Sequence, residues 1–294
     1  MAGKEDWPES ILYEELGNSD PAWRRTQGLV PAFSEASSLL GIPYDSINTA
    51  SEAVFRFDVF HNYHLGVGKN YISSAVVMVM ELIPTSIEQA FQQLTADFQA
   101  YCKRMKESPY HKRLTAVLFG VHTGFQECPD GGWSKGDFTR LLHLWFADYC
   151  SREVIGKTQE PVYLMCAEAT AKINEFIGGL YHEGIFIKPE RAQSLAESGL
   201  SFLQLYLKLA RCCFERRQKR FPIMPKCHYL HHQMLDVLEQ GRAGKLAVNC
   251  LVYSCQMQED FVGRPSRLAR RVSSRTTAMR VIQRLFLSIR SLGD

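Results

Sequence analysis

The chain lacks a CxxC pair, an apolar leader and a hydrophobic run long enough to cross a bilayer. Its nine cysteines are an odd number without framework spacing, and Cys212-Cys213 is the one adjacent pair. That usage excludes a disulfide-stapled secreted scaffold and fits a reducing, intracellular compartment. The first residues, Met1-Ala2-Gly3-Lys4-Glu5-Asp6-Trp7-Pro8, carry no apolar signal region, so secretion is not expected. The longest apolar run, Ile72 to Met80, meets Glu81 and Pro84. It falls short of the roughly 20 residues that span a membrane and reads as a buried helix. Catalytic signatures are scarce too. Gly66-Val67-Gly68-Lys69-Asn70 lacks the first glycine and the final Ser or Thr of a phosphate-binding loop. There is no GxSxG, no Cys/His nucleophile pattern and no dinucleotide fingerprint.

What is present is a chain of 294 residues, 46% hydrophobic and 22% charged. That is enough to bury a sizeable core in one large or two modest domains. The net charge of +3 is uneven: Glu259 to Asp294 holds eight Arg against three acids, leaving the rest mildly acidic. Such a tail suits an anionic partner, nucleic acid first, or else a solvated helix face. Residues 1–50 are punctuated by Pro and Gly, with short helices expected at Glu9–Leu16 and Ala32–Leu40. Val54–Phe60 alternates and is rich in Phe and Val, which predicts a strand, and His61–Leu82 then turns helical. Further helices are predicted over Ser86–Lys106, Asp137–Gly156, Pro161–Gly184, Pro189–Arg220, Met224–Gln240, Glu259–Val272 and Arg275–Leu292. Arg113–Gly120 and Val248–Gln256 read as short strands.

Three constellations carry chemistry. Asp58 ends the first predicted strand, with His61 and His64 following on the next helix; a lone Asp there is otherwise a cap. Cys227, His228, His231 and His232 lie on one helix, with His228 and His232 four apart on a shared face. These are borderline ligands, but no second pair has finger spacing, so structural zinc is not expected. Glu259-Asp260 opens a helix whose Arg264, Arg267, Arg270 and Arg271 make a basic stripe. Carboxylates beside such a stripe can hold metals next to a phosphate backbone, or simply favour the helix dipole.

Asp58-x-x-His61 followed by Leu65-Gly66, Pro225-Lys226-x-His228-x-x-x-His232, and Glu259 with Phe261-Val262-Gly263 together resemble the acidic motifs of eukaryotic cut-and-paste transposases of the CACTA, transposase 21 and KDZ-like group. The resemblance covers about residues 52–290. It implies a mainly α chain with a small β component: a partial RNase H-like α/β core at 51–84 and 224–294, a helical insertion at 85–223, and an irregular segment at 1–50. It implies Asp58 and Glu259 as metal-holding catalytic acids using Mg²⁺ or Mn²⁺, supported by His61, His64, His228, His232 and Asp260. Arg264, Arg267, Arg270 and Arg271 would hold DNA, possible partners being DNA and a second copy of the chain, in the nucleus and away from membranes. The first acid of the family has no counterpart, since Asp45 is only 13 residues ahead of Asp58, and Asp260 stands where the families tend to have Arg. The implied activity is therefore impaired DNA cleavage and strand transfer. The alternative is a non-catalytic helical scaffold or nucleic-acid-binding protein.

Overall fold

The computed structural model describes residues 13–26, 56–121, 128–256, 266–270 and 272–290. Cα packing divides the chain into two units, Met1–Tyr253 and Ser254–Asp294. The first unit is built around α1, Gly68–Met80, in which all but Lys69 is buried. A helix buried on every side has no solvent face to offer and sits at the centre of a bundle. Around it lie α2 (Ile87–Met105), α3 (Gly136–Glu153), α4 (Pro161–His182), α5 (Pro189–Glu215) and α6 (Pro225–Arg242).

The boundaries follow local chemistry. Ser86 caps α2 through a reciprocal pair with Gln89, and Lys106 closes it in the left-handed conformation. Pro161, Pro189 and Pro225 each occupy the first turn of their helices, where the missing N–H costs nothing. The leucines predicted for one face of α5, from Leu195 to Leu209, are buried. α5 packs between α4 and α6. Gly199 on α5 permits the close approach of α6, because a Cβ there would stand 2.9 Å from Met234 Cε.

Among the described residues the only sheet is two strands of two residues, β1 (Phe186–Ile187) and β2 (Ala247–Val248), paired antiparallel. The protein is thus mainly helical. Three predicted strands are corrected here. Arg113–Gly120 instead contains a 3₁₀ turn at Val117–Phe119, closed by Gly120 at φ +71°. Val248–Gln256 contributes only Val248 to β2 before a 3₁₀ turn at Cys250–Tyr253. The third, Val54–Phe60, lies at the candidate site. The helix predicted at Glu9–Leu16 is represented by a 3₁₀ turn at Tyr13–Glu15, and Ala32–Leu40 lies outside the described residues.

The second unit contains a helical turn at 266–269 and α7, Thr277–Arg290. Exposed Met279, Ile282, Phe286 and Leu287 are interspersed with Arg280 and Arg284. No helix among the described residues is long and apolar enough to cross a membrane.

Candidate functional site

Arg56, Phe57 and Asp58 run without strand pairing into a wide π-helical turn, Phe60–Val67. Val54 and Phe55 lie outside the described residues; from residue 56 onward the neighbour is a helix, not a strand. The Phe57 ring stacks on Tyr229 of α6 at 4.9 Å, and its carbonyl accepts a 2.7 Å hydrogen bond from Gln233 Nε2. Asp58 then acts as a cap. Its Oδ1 accepts from the Phe60 N–H and its Oδ2 from the His61 N–H, both at 3.0 Å. Oδ2 also lies 2.5 Å from His61 Nδ1. A carboxylate that gathers N–H groups in this way starts a helix rather than ending a strand. The side chains of Asp58 and His61 remain 20% and 42% exposed, so the pair is open to solvent.

The turn breaks at Leu65 and Gly66, whose dihedrals leave the helical range. This frees the Leu65 carbonyl, which accepts a 3.3 Å hydrogen bond from Lys226 Nζ in the first turn of α6. Gly66 is required by proximity: a Cβ would stand 2.6 Å from Lys226 Cδ and 2.7 Å from the His61 carbonyl oxygen. Gly66→Ala is expected to push Lys226 away and cost about 1–3 kcal/mol by overpacking. A urea midpoint equal to that of the parent protein would count against this contact.

The histidines divide by environment. His64, predicted beside His61, is 3% exposed; its Nε2 meets the Tyr181 hydroxyl at 3.0 Å. Burial, outweighing the pull of the Gly136 backbone and the Asp137 carboxylate, lowers its pKa to about 4. On α6, His228 and His232 bring their Nε2 atoms to 3.1 Å from each other. Trp23, from the poorly patterned N-terminal stretch, places its ring 4.5 Å from each of theirs. His232 also lies 5.4 Å from the Phe57 ring. Burial lowers the pKa of His228 and takes that of His232 to about 3, with the neighbouring His228 and Arg24 adding to the latter. His231 turns to the Asn18 carbonyl at 2.8 Å. The Cys227 thiol is buried, and burial pushes it up to about 11, away from the thiolate form that binds metals.

The first two sequence motifs, 161 residues apart at the Lys226–Leu65 bond, therefore meet in one place. Glu259, Asp260, Arg264 and Arg271 lie outside the described residues; Arg267 and Arg270 are exposed in the second unit. Sequence reasoning missed Trp23 and the anchoring roles of Phe57, Lys226 and Gln233. The lysine was visible in the Pro-Lys-x-His wording, but nothing in the spacing marked the tryptophan. No protein-family model, curated protein or solved structure matches the chain.

Proposed function

We propose that this is a transposase-derived protein that retains DNA binding and has impaired metal-dependent cleavage. The observation that carries the reading is the docking of the Asp58-x-x-His61-x-x-x-Leu65-Gly66 segment on the Pro225-Lys226-x-His228-x-x-x-His232 helix. Phe57 on Tyr229, Gln233 on the Phe57 carbonyl and Lys226 on the Leu65 carbonyl hold them together. Two segments with no reason to meet as isolated helices are held as one turn-and-helix unit, with the Asp58–His61 pair facing solvent.

In this reading Asp58 is a carboxylate ligand for Mg²⁺ or Mn²⁺. The partly exposed carboxylate is of the hard oxygen type that these cations take. The metal would supply charge stabilisation and an activated water for phosphodiester cleavage. Asp58 stands as the second acid of the set and Glu259 as the third. Without a counterpart of the first acid, metal binding is weak and cleavage slow. The RNase H-like part of the proposal rests on residues outside the described ones, since the described sheet is one two-residue pairing. Nuclear localisation follows from DNA as partner. The rival reading, a non-catalytic helical scaffold, is favoured by that same scarcity of strand.

Duplex-DNA binding measured against salt tests the proposal. Four stripe arginines predict a log–log slope of roughly −3 to −4. Replacing Arg264, Arg267, Arg270 and Arg271 by Gln should flatten the slope and weaken binding to all sequences alike. Asp58→Ala should leave binding intact and remove any Mn²⁺-dependent nicking. A slope unchanged by the fourfold substitution overturns the DNA reading and leaves the scaffold.

A further inference from the structure

We propose that His228 and His232 form a two-histidine chelate for one borderline divalent transition metal, Zn²⁺ or Cu²⁺, distinct from any hard-cation site at Asp58. The residues are four apart on α6, and their Nε2 atoms face each other at 3.1 Å. With metal–nitrogen bonds of about 2.0–2.1 Å, a right-angled chelate places its nitrogens about 2.9 Å apart and a tetrahedral one about 3.4 Å. The observed separation falls between the two, so a metal can enter with little movement of either ring.

The surroundings favour the neutral imidazoles that a metal requires. Both rings are half-buried, and Trp23 stands at 4.5 Å from each, forming a dry wall on one side. The remaining positions would be filled by water, as two protein ligands leave a four-coordinate metal open. Imidazole suits zinc and copper, whereas magnesium prefers oxygen. In the metal-free protein, 3.1 Å also suits an N–H···N hydrogen bond between the rings. Metal entry moves that proton from Nε2 to Nδ1 of the same ring, so no net proton is released. The absence of a second ligand pair with finger spacing argues against a closed four-ligand structural centre; it has no bearing on an open bidentate one.

The experiment is titration of the full chain with Zn²⁺ and Cu²⁺ by calorimetry, with tryptophan fluorescence followed in the copper arm. Saturable one-to-one binding is expected, and it should be lost in His228→Gln and in His232→Gln. His182→Gln, at an exposed histidine on α4, should bind as the parent does. Cu²⁺ should quench part of the fluorescence, and Trp23→Phe should remove that quenching without abolishing heat of binding. This last variant leaves both ligands in place should the histidine variants fail to fold. Excess Mg²⁺ should not compete, which separates this site from the DNA-cleavage reading. Binding that survives loss of both histidines, quenching that survives Trp23→Phe, or no binding by the folded parent overturns the proposal.

Discussion

Between pH 6.5 and pH 4 the protein is expected to lose most of its stability. His64, His143 and His231 are all buried, and burial is the largest cause lowering each from 6.5 to about 4. His143 illustrates the physics. Its Nε2 is 2.9 Å from the Gly68 carbonyl, so that nitrogen carries the proton, while Nδ1 meets no hydrogen-bond partner among the described residues. A second proton would place a charge in the core without compensation. The folded state therefore binds fewer protons than the unfolded chain wherever the pH lies between 4 and 6.5. The stability from these groups is complete above 6.5 and falls as the pH drops toward 4. A displacement of this size is worth roughly 3 kcal/mol per histidine, and three together rival the ~5–15 kcal/mol of a whole domain. Asp236, whose pKa burial raises, acts in the opposite sense at the acid end. Urea midpoints at pH 7.5, 6 and 5 should fall steeply. A flat profile would show that these rings accept protons in place.

The same histidines mark where sequence reasoning reaches and where it stops. Helix spans were legible because capping and periodicity are local. Ser86 with Gln89, the proline starts of α4, α5 and α6, and the leucine face of α5 need no knowledge of tertiary neighbours. The strand expected at Val54–Phe60 was not legible, because alternation reports only that one face is buried. It cannot say that the covering element is α6 rather than another strand. Asp58 could be read either as a strand-end carboxylate or as a cap, and the N–H groups of Phe60 and His61 decide for the cap. His61 and His64 looked equivalent on paper. The π-helical turn and the kink at Leu65–Gly66 leave one at the surface and take the other into the core. Trp23 has no local pattern around it at all; its ring is met by His228, His231 and His232 of α6, far away in sequence.

Tyr71→Ala is expected to cost about 3–5 kcal/mol, the range for removing a large buried side chain that leaves a cavity. The ring is fully buried on α1 and lies within 6.2 Å, centroid to centroid, of His143, Phe202, Tyr206 and Phe221. These come from α3, α5 and the segment before α6, so no single neighbour can move in to close the void. The hydroxyl adds a second term. It donates to the Cys166 carbonyl of α4 at 2.7 Å and lies 2.9 Å from Thr170 Oγ1. Tyr71→Phe separates the two contributions. It removes the donor and keeps the ring, and the Cys166 carbonyl still receives the Thr170 hydroxyl at 2.8 Å. That substitution should therefore cost only about 1 kcal/mol, the net worth of one hydrogen bond whose acceptor stays satisfied. Urea unfolding of both variants at pH 7.5, above the range where the histidines titrate, gives the comparison. Equal losses for Phe and Ala would mean that the hydroxyl network, not the packing of α1 at the centre, holds this part of the bundle together.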